Sequence, residues 1–211
     1  MAPSLLIALL IAAAPPADSS THRLPPIDEC AADPSFAAFR DQLRLTIEQR
    51  DAAALLEIVA DDIEVDFGGG AGRADFSRTW ELDRPASSGV WDELAEALSL
   101  GCAGDGSGEL YAPSMAAASM TEDPFEAAVV IRPGAELRRE PDAASRSLAT
   151  LDWDIVTVPE WDSEGAWQRI VLADGRSGFV RSDDLRSPID YRAAFRRLDG
   201  RWRMTAFIAG D

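Results

Sequence analysis

Phe36, Phe39, Leu43 and Ile47 recur three and four positions apart, and Leu55 continues the series beyond a break at Asp51. Such spacing lays one apolar stripe along a helix and predicts helices over residues 35–50 and 52–59. Asp33-Pro34 reads as an N-cap followed by proline in the first turn, and Asp51 as the cap of the second helix. The pattern then changes period. Ile63, Val65 and Phe67 alternate with Glu64 and Asp66, which predicts a strand over residues 63–67 with its acids on one face, ended by Gly68-Gly69-Gly70. A short helix is expected over residues 75–80. Another is expected over residues 88–100, where Val90, Trp91, Leu94, Ala97 and Leu98 form the stripe and Gly101 stops it. Residues 104–113 are rich in turn formers and read as a connection between two halves.

From Ala127 onward short alternating runs separated by turn signals replace the helical period. Strands are expected at residues 129–131, 148–151, 155–158, 167–172 and 177–180, with residues 135–142 as a long loop. Asp174-Gly175 and Asp199-Gly200 each stand between alternating runs, the strongest short-range hairpin signal because the central positions need positive φ. The second joins residues 189–197 to 201–208. Tyr191, Phe195, Trp202, Met204 and Phe207 in this hairpin require burial, so it must either extend the preceding strands or return to the sheet of the first half.

Two stretches carry family resemblances. The order LRREPDAASRSLATL, IVTV, W-x-x-I-x-L-x-D-G-R-x-G-F-V and a closing SDDL resembles the bacterial SH3-like (SH3b) domain found in exported proteins. The resemblance implies a non-catalytic barrel that recognises cell-wall peptide or an envelope protein partner. Trp153, Trp161, Arg138 and Arg139 are its candidate contact residues. The segment FAAFRDQLRLTIEQRDAAALLEIVADDIEVDFGGGAGRADF, residues 36–76, resembles the start of nuclear-transport-factor-2-like proteins, as does the closing strand ending FIAGD. That second resemblance implies an alternative: a small-molecule-binding or isomerase-like domain with the barrel as accessory. Asp66, with Tyr111 or Tyr191, would then serve as base and hydrogen-bond donor.

The expected architecture is α+β: an N-terminal helical/α+β domain (35–125), a small SH3-like β-barrel (126–187) and a C-terminal β-hairpin (188–211). Ahead of these, Leu5 to Ala14 form an apolar run too short to span a bilayer but suited to a signal-peptide core. We therefore expect a signal peptide over residues 1–17 and a flexible polar leader over residues 18–34. Export to the periplasm or medium follows, with no stable membrane insertion after cleavage. In an oxidising compartment, Cys30 and Cys102 read as a disulfide.

Charge narrows the partners. The 211-residue chain carries a formal charge of -17, and its 20 basic residues are all arginine. Between Asp18 and Asp123 there are 7 arginines and 22 carboxylates, whereas from Glu126 onward there are 13 and 15. So acidic a first half repels nucleic acid, which needs clustered positive charge to displace its counterions. His22, the single histidine, sits in the leader, which leaves no imidazole for a catalytic triad or zinc site. The glycine run 68–72 lacks the Lys-Ser/Thr of a phosphate loop, and neither acidic stretch has calcium-loop spacing. No cofactor, metal or catalytic residue is expected, and the acids of 61–66 read as a solvated face.

Overall fold

The structure is a computed structural model and describes residues 22–210. The expected signal peptide lies outside the described residues. The chain forms a mixed α+β fold with two sheets, neither of them closed.

Helix α1 spans Pro34–Gln49, and the Asp33 carboxylate accepts the Ser35 and Phe36 amides at its start. Arg50 ends it in the left-handed region, and Asp51 caps α2 (Ala52–Ile58) by accepting the Ala54 amide at 3.0 Å. Strand β1 (Val59–Glu64) follows without a loop, four residues earlier than the alternation suggests, because Val59 and Ala60 are both buried. Helices α3 (Arg73–Thr79) and α4 (Val90–Ser99) complete the helical layer. The stretch 104–113, expected as a plain connection, instead contributes two short strands, β2 (Ala103–Gly104) and β3 (Leu110–Ala112).

The second half supplies β4 (Ala127–Val130), β5 (Ala135–Arg138), β6 (Ser147–Leu151), β7 (Ile155–Thr157), β8 (Trp167–Val171), β9 (Ser177–Arg181) and β10 (Leu185–Arg186). Strands β11 (Arg192–Leu198) and β12 (Arg201–Ile208) end the chain. The terminal hairpin joins the first sheet, whose order is β1-β12-β11-β3-β2, with β1 parallel to β12 and the other pairs antiparallel. One face of this sheet packs on the helices through Ile63, Ala112, Ala193, Phe195, Met204 and Phe207.

The SH3-like barrel is not present. Strands β4 to β10 form an open antiparallel sheet in the order β10-β4-β7-β8-β9-β5-β6, and its edge strands β10 and β6 do not pair with each other. The local strands occur where the alternation places them, but closure needs edge pairing, and two features oppose it. Segment 135–142, expected as a loop, forms β5 and turns back on β6 as a hairpin. Strand β10 is two residues long, and its Arg186 turns toward Glu96 of α4 and the Tyr191 carbonyl. The expectations of an SH3-like fold, and of wall-peptide or envelope-protein recognition derived from it, are withdrawn on this ground.

The two sheets share an interface. β4 is buried on both faces: Ala128 and Val130 enter the core of the second sheet, whereas Val129 packs with Ile131, Leu100 and Met115 between the sheets. The segment preceding α1 runs across this seam. Leu24 donates its amide to the Trp153 carbonyl at 2.8 Å, and Glu29 donates to the Cys102 carbonyl at 2.9 Å. The Cys30–Cys102 disulfide, expected from the sequence, ties this strap to β2, with Cα atoms 5.5 Å apart. Among the described residues no helix is long and apolar enough to cross a membrane.

Candidate functional site

The face of the first sheet turned away from the helices carries a cleft of about 260 Å³. Its floor follows from strand geometry. Ala194 on β11 stands opposite Ala206 on β12 and Tyr111 on β3, and residues paired across strands point to the same face. Ala194, Ala206, Ile208 and the Tyr111 ring therefore form a small apolar cluster at the bottom of the cleft.

A β-bulge completes the wall. The β11–β12 register passes from Ala194–Ala206 to Phe195–Met204, which leaves Thr205 as the extra residue. An inserted residue breaks the alternation locally, so Thr205 and Ala206 both line the cleft while Met204 and Phe207 stay in the helix-side core. The Thr205 hydroxyl lies 3.1 Å from Oε1 of Glu109 and 3.3 Å from the Ala194 carbonyl. Glu109 also accepts the Tyr111 hydroxyl at 2.7 Å and faces Arg196 at 3.3 Å. Asp105 lies 3.4 Å beyond the same phenol and is itself held by the Ser107 amide and hydroxyl. Burial, then the neighbouring Glu109 and Asp105, push Tyr111 ionisation far above the ordinary phenol range. The phenol keeps its proton and acts as a donor.

Asp62 and Glu64, two residues apart on β1, form the opposite wall. Both are exposed, and neither side-chain carboxylate has a hydrogen-bond or ion-pair partner among the described residues. Arg192 borders the cleft with its guanidinium 5.5 Å from the Phe67 ring and 2.9 Å from the Gly210 carbonyl. A wider depression of about 650 Å³ adjoins the cleft and shares Asp62 and Leu198 with it. There Arg73 pairs with Asp61 at 3.1 Å, and Arg203 donates to the Glu57 carbonyl.

The isomerase-like constellation is not brought together. Asp66 is exposed and accepts the Gly70 amide at 2.9 Å, so it braces the glycine turn. Tyr191 lies on the helix side, 4.7 Å from Trp80 and 5.2 Å from Phe207 between ring centroids, whereas Tyr111 lines the outer cleft. The space between helices and sheet, where an enclosed pocket would have to form, is filled by Phe36, Phe76, Trp91, Phe195 and Phe207.

The four residues proposed for barrel recognition are scattered in role. Trp153 packs against Leu24, Val129 and Ile131 at the seam and lines a space of only about 10 Å³. Trp161 is 38% exposed and donates its indole N–H to the Phe125 carbonyl at 3.2 Å. Arg138 pairs with Glu136 and donates to the Ser145 carbonyl at 2.5 Å, and Arg139 faces Glu140 at 3.8 Å. Of the cleft residues, Tyr111 alone was singled out from sequence for binding or chemistry. Glu109, Ala194, Arg196 and Thr205 carry no local motif. Asp62 and Glu64 were visible only as alternating acids.

No protein-family model matches the chain, and no curated protein matches it. Among solved structures, it is similar to an NTF2-like protein of unknown function from Pseudomonas putida KT2440. The two share 14% identity over 86% of this chain and 87% of that one, at a TM-score of 0.31. A similarity of that size carries no argument about the site.

Proposed function

We propose that this chain is a small-molecule-binding protein whose site is the cleft on the outer face of the five-stranded sheet. The observation that carries this reading is the construction of the cleft. An apolar floor of Ala194, Ala206 and Ile208 is edged by a fixed Tyr111–Glu109–Thr205 network, the combination by which a site buries a ligand body and orients its polar end. Binding is favoured over turnover because the half-buried carboxylate is already engaged by Tyr111, Thr205 and Arg196, and the phenol holds its proton. The buried disulfide supports a working place in an oxidising compartment, so the native protein is expected in an exported fraction on cell fractionation.

The test is a fragment screen against ¹⁵N-labelled protein, following the amides of Tyr111, Ala194, Thr205 and Ala206. Hits are expected to shift these amides saturably. Ala194→Leu, which fills the floor without entering the helix-side core, should abolish the shifts. Binding that survives Ala194→Leu, or a screen in which no compound moves these amides, would sink the proposal.

A further inference from the structure

Resting on this binding role, we infer that the cleft continues past Arg192 into a second, apolar space, and that its ligand is a free amphiphile whose hydrocarbon arm lies there. The second space is a groove of about 220 Å³ where residues 115–124 pass Pro188 and Ile189. Met115, Met120, Pro124, Pro188 and Ile189 give it an aliphatic wall. Its charged members are Arg192 and Glu122, whose carboxylate already accepts the Thr121 amide and hydroxyl at 3.1 and 3.3 Å. Methionine adapts its shape to irregular apolar partners, and proline and isoleucine side chains offer no hydrogen bond. Such a wall accommodates a hydrocarbon chain. Arg192 is the joint, because it lines both spaces. Its guanidinium is held 2.9 Å from the Gly210 carbonyl and over the Phe67 ring, and neither of these residues lines either space. The methylene stem of a tethered arginine is apolar surface. A chain leaving the cleft floor at Ile208, the cross-strand neighbour of Arg192, therefore meets hydrocarbon on its way to Ile189.

Size and polarity turn the arm this way. The cleft alone, at about 260 Å³, falls below the roughly 300–1,000 Å³ of ordinary ligand sites, and the groove brings it within that range. The wider depression beyond Leu198, at the other end of β11, also adjoins the cleft, but Asp61, Asp199, Arg73, Arg201 and Arg203 wall it. Burying hydrocarbon against charged groups costs their hydration. The polar end of the ligand therefore stays with Tyr111, Glu109 and Thr205, and the arm runs toward Met120. The amphiphile is a free molecule and not a bilayer lipid: both spaces are recessed into the surface, and a net charge of -17 opposes contact with anionic head groups.

Three neutral probes, 1-butanol, 1-hexanol and 1-octanol, test this without the attraction that so acidic a protein exerts on cations. Each is titrated into the full chain while the amides of Ala194 and Ala206 report the cleft and those of Ala118, Met120 and Ile189 report the groove. Butanol should shift the cleft amides alone. Octanol should shift both sets with one dissociation constant, at least about tenfold below that of butanol, since full burial of each added methylene is worth about fourfold. Met120→Asp should return octanol to the affinity of butanol and leave butanol unchanged. Ala194→Leu should abolish the octanol shifts of both sets, because one molecule spans them. Groove shifts that survive Ala194→Leu, separate dissociation constants for the two sets, or an affinity independent of chain length would overturn the inference and leave the cleft as a binding site. Silence of all three probes would overturn the amphiphile class, and the fragment screen then decides the binding role separately. Co-sedimentation of the protein with phosphatidylcholine vesicles would overturn the choice of a free ligand.

Discussion

Gly101 has φ of +81°, and a Cβ built on it would meet the Ile27 carbonyl oxygen at 2.1 Å. The close approach exists because the strap preceding α1 hydrogen-bonds here: Cys102 donates its amide to that same oxygen at 2.9 Å. Gly101→Ala therefore combines left-handed strain with a backbone clash that no side-chain rotation relieves. It should lower stability by roughly 1–3 kcal/mol in urea titration; an unchanged midpoint would contradict the packing. Glu93 makes a different prediction. Burial raises its pKa, opposed by Arg186 and reinforced by Glu96, Asp190 and Asp92. A raised folded-state value means that the folded protein binds this proton more tightly than the unfolded chain does. Its stabilising contribution is complete below the ordinary glutamate value near 4.5 and is lost as pH rises through the raised one. Glu93→Gln should therefore match the wild type at pH 4 and exceed it at pH 7. Because the group is half-exposed, the gain in melting temperature should be only about 1–2 °C. A difference independent of pH would refute this origin.

At the scale of elements, the strap and its disulfide decide how the helical layer is held against β2. Cys30 and Cys102 are both buried and separated by 72 positions. Removing the link by Cys30→Ser with Cys102→Ser should cost about 3–4.5 kcal/mol in the chain-entropy account, read from urea unfolding under non-reducing conditions; a loss below about 1 kcal/mol would show that the strap holds without it. Such elements were legible from sequence where their signals are local. Asp33 and Asp51 cap the helices they precede, and Asp199 and Gly200 both adopt the positive φ expected of their hairpin, whereas in the first hairpin Gly175 does so and Asp174 does not, the loop there being three residues long between Leu172 and Arg176. What could not be read was pairing across long separations. Glu64 finds Ala206 in parallel register, and β3 finds β11, across stretches of chain that encode no partner. The Thr205 bulge arises from this pairing, since two residues of β12 must be absorbed against one spacing of β11. The candidate site was therefore visible only in fragments, as Tyr111 and the acids of β1. The barrel expectation failed for the same reason: alternation reports which residues face inward, and closure depends on whether β6 and β10 meet.

At the scale of the whole molecule, Glu96 joins the two halves. Its carboxylate on α4 reaches Arg186 of β10 at 2.7 Å and Arg132, just beyond β4, at 3.6 Å. The Arg186 side chain is 3% exposed, and its Nε has no partner, so the guanidinium tolerates burial only with a counter-charge beside it. Glu96→Ala leaves that charge buried with the Tyr191 carbonyl as its remaining acceptor. Breaking a fully buried pair costs about 3–5 kcal/mol; with Glu96 itself about one-third exposed, a loss of about 2–3 kcal/mol is expected. The loss should fall on the seam between the sheets. Urea unfolding followed by tryptophan fluorescence and by far-UV circular dichroism should then give separate midpoints where the wild type gives one. Lost packing around α4 would produce the same destabilisation, so the second variant decides between the causes. Arg186→Met in the Glu96→Ala background removes the stranded charge and keeps an extended apolar side chain. It should recover at least half of the lost stability if the buried guanidinium is the cause, and lose more if packing is.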